Sequence, residues 1–363
     1  MAVAAHIRPA PGIPIIGALL VGLISGAVAA RIGLPLPWML GPMIGNTLAA
    51  LARIPLSAPG NLRIIVIPII GVMLGAGFSP DMAAQIASWG MTFALLIPFM
   101  VCAATVSFVI YRRIGGYDPV TAFFSAMPGG LNEMLILGDE AGGDGRRIAL
   151  AHAGRILIVI TCVALFFGLF LGVRGQNTDD AYVQFGDLTF IDGVILILCG
   201  IAGVWMGKVL RLPAATMLGP MILSAAVHLV PLVSVPPPTL LVIVAQIVIG
   251  TVIGCRFQGT TLAEIWGDLR LGFMASIAMI AVAVIFAGVI AALTQTDMAQ
   301  AFLAFSPGGL TEMSLLAFAM GQDVAYVAVT HVVRIALVIF STPFVFRLTR
   351  RYFSAAEAPK DRP

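Results

Sequence analysis

Long apolar segments separated by short polar breaks make up most of this chain. Twelve segments can be distinguished, six in each half. A helix needs about 20 apolar residues to cross roughly 30 Å of hydrocarbon. The first six segments occupy residues 12–30, 35–52, 60–78, 89–111, 118–140 and 146–173. The second six occupy residues 188–209, 213–232, 238–256, 268–294, 297–320 and 324–346. This pattern predicts an all-α polytopic membrane protein.

The second half of the chain repeats the first. The string LGPMI at 40–44 returns at 218–222, and Gly71 and Gly75 return as Gly250 and Gly254. We favour close helix packing as the role of the LGPMI strings, because they carry no ionisable group. The repeat divides the chain into a first membrane repeat (1–173), an acidic linker (174–187), a second membrane repeat (188–349) and a short cytoplasmic tail (350–363).

The distribution of positive charge predicts how the two repeats are oriented. If all twelve segments crossed the bilayer, Lys and Arg would lie on both sides with only a weak cytoplasmic excess. If the fifth segment of each half is a re-entrant hairpin, the second repeat is inverted. Of the 20 Lys and Arg residues, only Arg31 and Arg174 then lie outside, while Arg155 and Arg334 lie within the membrane. We therefore predict two inverted-topology repeats, each of five transmembrane helices plus a re-entrant, broken helical hairpin, with both termini cytoplasmic. A broken spanning helix in place of each hairpin remains open.

Each fifth segment contains the same helix-breaking string, PGGLNEM at 128–134 and PGGLTEM at 307–313. Proline removes a backbone donor, and paired glycines permit backbone angles that a helix cannot hold. The helix that begins after such a break exposes amide groups that attract anions. We predict substrate-binding positions at both breaks, with a ligand-free packing kink as the alternative. They are Pro128, Gly129, Gly130, Asn132, Pro307, Gly308, Gly309 and Thr311.

Three kinds of ionisable residue recur at membrane depth in both halves. Glu133 and Glu312 could carry protons, or they could cap nearby backbone amides. The pairs His152-x-x-Arg155 and His331-x-x-Arg334 each lie on one helix face. We predict that the arginines bind substrate, and that the glutamates and histidines couple protons. The glutamates or an anionic substrate are the expected partners of the arginines, and a structural Glu–Arg pair is the alternative. Sodium coupling through unwound backbone carbonyls is equally open.

Composition narrows the function classes further. Hydrophobic residues form 60% of the chain, charged residues 10%, and the mean hydropathy is +1.05. There is no basic run that would indicate a nucleic-acid partner, and the four cysteines lie singly without metal or disulfide spacing. We therefore expect no metal, no cofactor and no enzymatic activity. The N-terminal apolar run lacks a cleavage site and is expected to be a retained first helix.

The paired PGGLxEM, HxxR and LGPMI strings resemble the AbrB-type bacterial membrane proteins, over about residues 14–349. That family carries a duplicated domain and is often labelled ammonia-monooxygenase-like or regulatory. No carboxylate–histidine cluster at metal-ligand spacing supports an oxygenase here.

The residues favour a secondary active transporter of a small, carboxylate-like anion in the bacterial inner membrane, with its site at the bilayer midplane. A membrane-embedded ligand sensor that affects gene expression indirectly is the alternative. A homodimer is left open by analogy with other carriers.

Overall fold

The chain is described by a computed structural model over residues 15–34, 36–78, 89–170, 182–212, 214–233, 235–258, 262–294 and 296–356. Within these ranges it folds into helices without strands, which confirms the all-α prediction. The first half contains α1 (Ile15–Arg31), α2 (Pro37–Leu51), α3 (Gly60–Ala76), α4 (Gly90–Val109), α5 (Pro119–Ala126), α6 (Leu131–Glu140) and α7 (Gly145–Phe170). The second half contains α8 (Phe190–Val209), α9 (Ala215–Leu229), α10 (Thr239–Gly254), α11 (Leu262–Thr294), α12 (Met298–Phe305), α13 (Leu310–Ala319) and α14 (Val324–Ala356).

Several of these helices are long and apolar enough to cross a membrane, which confirms a multi-pass membrane protein. Six stretches meet that criterion among the described residues: Gly90–Ile114, Gly145–Gly168, Phe190–Val209, Thr239–Phe257, Gly267–Thr294 and Val324–Thr349. The shorter apolar helices α1 and α3 precede these stretches, and α9 lies between two of them. The outer surface is apolar as a lipid-facing surface must be, with Phe190 of α8 87% exposed and Phe340 of α14 82% exposed.

The predicted segment ends differ from the helix ends at several points. Helix α14 continues to Ala356, past the predicted end of its apolar segment at 346. The predicted linker and tail lie partly outside the described residues. Within the described part of the linker, Phe185–Asp187 form a single 3₁₀ turn.

Glycines allow the two halves to pack tightly against each other. Helix α3 packs on α9, and helix α10 packs on α2. A Cβ atom on Gly71 would collide with the carbonyl oxygen of Met217, and a Cβ atom on Gly250 would collide with that of Met39. Because α2 and α9 carry the LGPMI strings, these contacts confirm their predicted role in close packing. Equivalent glycines of the two halves thus make equivalent contacts with the other half.

Helices α4 and α11, which occupy equivalent places in the two halves, run antiparallel. Just beyond the end of α4, the Tyr117 hydroxyl donates to Asp268 at the beginning of α11, at 2.8 Å. At the opposite end, Thr92 near the start of α4 is 2.8 Å from the Tyr326 hydroxyl. Tyr326 also lies near Thr296, which follows α11. The beginning of each helix therefore lies beside the end of the other.

Each fifth segment forms a hairpin of two short helices. The backbone N–H of Asp144, after α6, donates to Thr121 Oγ1 at the start of α5 with a length of 2.7 Å. In the second half, Tyr326, which follows α13, lies near Thr296, which precedes α12. Helix α5 has eight residues and is about 12 Å long, which is too short to cross a bilayer. The chain therefore turns back near the break, as a broken helical hairpin does.

The close glycine contacts predict a position-specific loss of stability. Gly250→Ala should destabilise the protein by about 1–3 kcal/mol, because the new methyl group meets a backbone oxygen that cannot move freely. Gly288→Ala in α11 is the matched control, since no atom lies within 4 Å of the added methyl group. The melting temperature of the detergent-solubilised variants measures the difference. Equal melting temperatures for both variants would contradict the packing contact.

Candidate functional site

The Pro-Gly-Gly strings interrupt helices at equivalent places, as predicted. Helix α5 gives way at Met127, which is extended at φ −62° and ψ 130°, and Gly130 before α6 has φ −67° and ψ 141°. In the second half, Ser306 has φ −53° and ψ 135°, and Gly309 has φ −77° and ψ 152°. None of the motif glycines adopts a positive φ. The break thus has backbone angles that a helix cannot hold, as predicted, but these angles are open to other residues and do not by themselves require glycine.

Glycine is required at the breaks because other side chains lie where a Cβ atom would be. A Cβ atom on Gly130 would collide with the Glu133 carboxylate, and one on Gly309 would collide with the Glu312 carboxylate. A Cβ atom on Gly129 would lie 2.6 Å from Val338 Cγ1 on α14. Small residues thus let the carboxylates fold back and bring the first hairpin against the last helix of the second half.

The guanidinium group of Arg155, on α7, binds the backbone of the first break. Nη1 donates to the carbonyl oxygen of Met127 at 2.7 Å, and Nη2 donates to that of Gly129 at 2.9 Å. The last carbonyls of a helix have no partner within it, and no water reaches them in hydrocarbon. With its side chain only 6% exposed, Arg155 therefore supplies the donors that the interrupted helix lacks.

Arg334 on α14 binds the second break in the same manner. Nη1 donates to the carbonyl oxygen of Ser306 at 2.6 Å, and Nη2 donates to that of Gly308 at 3.0 Å. Of the two expected partners of the arginines, the glutamates are therefore wrong, and an anionic substrate stays a prediction. The hairpin break leaves backbone oxygens at the depth that the arginines reach, and these oxygens take the guanidinium donors.

The two motif histidines hydrogen-bond to carbonyl oxygens near the same helix ends. His152 Nε2 is 3.1 Å from the Phe124 carbonyl oxygen, and His331 Nε2 is 3.0 Å from that of Leu303. A carbonyl oxygen can only accept, so Nε2 carries the proton in both rings. Nδ1 of His331 is then the acceptor of a 3.0 Å bond from Arg334 Nη2. Nδ1 of His152 has no partner among the described residues.

The two glutamates lie at the N-termini of the helices that follow the breaks. The Glu312 carboxylate accepts the N–H of its own residue and folds over Gly309 at the start of α13. The Glu133 carboxylate folds over Gly130 in the same manner. The capping alternative is thus what the structure shows for Glu312. The positive N-terminal ends of both helices already hold a carboxylate from the protein itself.

Four predicted positions remain, Thr311, Asn132, Pro128 and Pro307, and the structure describes the side chains of all but Asn132. Thr311 Oγ1 is 3.2 Å from Met217 Sδ on α9, which places the second hairpin beside an LGPMI helix. Asn132 lies in the first turn of α6, and its side chain is outside the part that the structure describes. Pro128 and Pro307 are buried at the two tips.

The arginines that bind the two tips lie near each other in the interior of the bundle. The positive charges of Arg155 and Arg334 are close enough to interact, although the residues come from different halves. The tertiary structure thus brings together the breaks, the arginines and the histidines that the sequence repeats. It also brings Arg63 and Arg256 within electrostatic range of Glu312. Sequence reasoning missed both, because neither recurs in the other half.

This arrangement defines a class of polytopic all-α membrane protein with two broken hairpins that converge on paired buried arginines. A profile of the family described as "Transition state regulatory protein AbrB" matches residues 38–350. The chain therefore belongs to this family. It is 25% identical over 320 residues to the "Putative regulator AbrB" of Escherichia coli (strain K12), covering 88% of this chain and 91% of the relative. It is also 25% identical over 345 residues to the "Uncharacterized protein YhjN" of Bacillus subtilis (strain 168), covering 89% and 90%.

The arginine contacts predict a structural cost when the guanidinium is removed. Arg334→Gln should lower stability by roughly 1–3 kcal/mol for each carbonyl left without a donor. Arg347→Gln, an exposed position on the same helix, is the control and should melt like the wild type. The melting temperature in detergent measures both variants. An unchanged value for Arg334→Gln would exclude the capping role of this arginine.

Proposed function

We propose that the protein is a secondary active transporter of a small carboxylate-like anion, with its binding site between the two hairpin tips. The convergence of two helix breaks from different halves carries this proposal. Carriers need backbone that can change its partners at membrane depth, and such backbone is tolerated only against protein or a wet cavity. Both tips meet this condition, because Arg155 and Arg334 satisfy their carbonyls.

The proposal includes two inverted repeats. The Tyr117–Asp268 hydrogen bond joins two positions that the charge distribution assigns to the cytoplasmic side. The Thr92–Tyr326 hydrogen bond joins two positions assigned to the outer side. With twelve crossings, Tyr117 and Asp268 would lie on opposite faces of the membrane and could not touch. Both contacts, and the antiparallel course of α4 and α11, therefore support inversion.

The glutamates provide a way to couple protons to the binding of an anion. In this state the amide ends of α6 and α13 are occupied by Glu133 and Glu312. A substrate carboxylate competes for the same positive helix ends. Protonation of a glutamate weakens its hold on the amides and frees them for the substrate. An anion and a proton then bind together, and the pair can move with less net charge.

A ligand sensor is the second candidate, because the relative from Escherichia coli bears the name "Putative regulator AbrB". A sensor would bind its ligand without moving it across the bilayer. We assign the protein to the bacterial inner membrane with both termini in the cytoplasm, on the basis of its charge distribution.

Uptake into proteoliposomes tests the proposed coupling. Labelled acetate and succinate are offered with an inward proton gradient, and separately with an inward sodium gradient. Glu312→Gln should abolish stimulation by the proton gradient, because an amide cannot carry the proton. Glu140→Gln, at the exposed end of α6, is the control and should leave uptake unchanged. Binding without uptake of either acid would favour the sensor.

Cysteine labelling tests the inversion separately from transport. A single cysteine is placed at Ala141 after α6 or at Gln322 after α13, in a chain whose native cysteines are replaced. A membrane-impermeant maleimide added to right-side-out vesicles should label position 322 and spare position 141. Labelling of both positions from the same side would eliminate the inverted arrangement.

A further inference from the structure

A long apolar groove lies between α3 and α8 on the outer surface of the bundle. It has a volume of about 770 Å³ and is lined by both helices and by the start of α10. Among the described residues that line it, Thr189 alone has a polar side chain. The Thr189 hydroxyl already donates to Asp192 at 2.6 Å. The groove therefore offers no free side-chain partner to a polar occupant, and an aliphatic occupant suits it.

Two glycines of α8 leave the floor of the groove open. No atom lies within 4 Å of a Cβ atom added to Gly193 or to Gly200. In the repeat, Gly200 aligns with Gly22 of α1, and Val72, which also lines the groove, aligns with Thr251 of α10. A Cβ atom on Gly22 would collide with Thr251 Oγ1. The first half thus closes this place by a direct helix contact, whereas the second half leaves it open.

One end of the groove has a wall that is fixed to α10. The backbone N–H of Val183 donates to Thr239 Oγ1 at 3.0 Å, and the N–H of Thr239 donates to the Val183 carbonyl oxygen at 3.0 Å. These reciprocal bonds tie the segment before α8 to the first residue of α10. The same segment contributes Phe185 and Leu188 to the lining. The groove therefore has a defined end.

The dimensions of the groove distinguish between possible occupants. Its lining on α8 runs from Phe190 to Val204, a length of about 21 Å at the rise of a helix. A volume of about 770 Å³ over that length corresponds to a channel roughly 7 Å wide. A helix with its side chains is about 10–12 Å wide and cannot be seated in it. An extended hydrocarbon chain can, because carbon atoms in contact lie about 3.5–4.0 Å apart. The chains of one leaflet span about 15 Å, so the groove is long enough.

The groove is continuous with the surface that the bilayer covers. Ile197 and Ile201 line it and are 62% and 67% exposed, and Phe190 at one end is the 87% exposed residue of the lipid-facing surface. A lipid chain can therefore enter from the side without crossing polar surface. Lipid tails are as apolar as the groove, so the gain on binding comes from van der Waals contact along its length.

We infer that the groove between α3 and α8 binds an acyl chain of one bilayer phospholipid. The chain lies along α8 over Gly193 and Gly200, and it fills the space that a helix contact fills in the first half. This lipid site lies on the outer surface of the bundle and does not depend on the proposed transport.

Native mass spectrometry of the full chain tests the site, because it counts bound lipids and protein copies together. Delipidated protein in detergent is offered dioleoyl phosphatidylethanolamine or dioleoyl phosphatidylglycerol. A single phospholipid per chain should be retained with either headgroup, because the groove contacts the acyl chain. Gly200→Leu should lower the lipid-bound fraction about tenfold or more, since the leucine side chain occupies the floor of the groove. Gly288→Leu on α11, another glycine with open space around it, is the matched control and should retain the lipid.

A second variant and the melting temperature guard against misfolding. Gly193→Leu enters the same groove two turns away and should also lose the lipid if Gly200→Leu aggregates. Lipid-free Gly200→Leu should melt like the lipid-free wild type. The site is overturned if the wild type retains no phospholipid, if both groove variants retain it, or if Gly288→Leu loses it as well. Retention of one headgroup alone would assign recognition to the headgroup and also overturn it. A wild-type dimer that both groove variants dissociate would make a second copy of the chain the occupant.

Discussion

Backbone carbonyls freed at two helix breaks must find donors inside an apolar protein, and this constraint organises the molecule. Unpaired backbone groups are costly in hydrocarbon. Here the last helix of each half provides the donors. A histidine on this helix binds one carbonyl oxygen, and the arginine three residues later binds carbonyl oxygens at the break itself. The HxxR motif is thus the complement of the Pro-Gly-Gly motif. Each break persists because a buried guanidinium group holds it.

The same constraint explains why the halves are arranged around one another. The first break lies against Val338 of the second half, and the second hairpin touches α9 through Thr311. The glycine contacts between α3 and α9 and between α2 and α10 draw the helices close enough for this. The result is a pair of tips supported by both halves. A relative shift of the halves would change the surroundings of both tips together, and an alternating-access carrier requires a linked change of this kind.

Residues that differ between the two halves make the surroundings of the two tips different. Arg63 and Arg256 have apolar counterparts, and their charges meet at one tip only. His331 shares a hydrogen bond with Arg334, whereas His152 Nδ1 has no partner among the described residues. The duplicated residues therefore account for the architecture, and the unmatched ones account for a difference between the two tips.

Sequence reasoning predicted the elements and misjudged some of their partners. The twelve apolar segments, the broken fifth segments and the placement of HxxR on the adjacent helices follow from hydropathy and repetition, because these features are local or duplicated. The Glu–Arg pairing failed because backbone carbonyls take the arginine donors, and the Glu312 carboxylate accepts from its own amide at the third position of α13. The non-helical backbone angles at the breaks were predicted, whereas the close approach of Glu133 and Val338, which requires glycine there, was not.

The sequence by itself determined the membrane class, the internal duplication and the sites where helices must break, since each depends on the order of apolar, small and ionisable residues. Only the tertiary structure decided which oxygen atoms the arginines bind and which cations surround Glu312. Those partners lie far apart along the chain, as Arg63, Arg256 and Glu312 do. They meet because helices from both halves pack side by side, and no local pattern encodes that proximity.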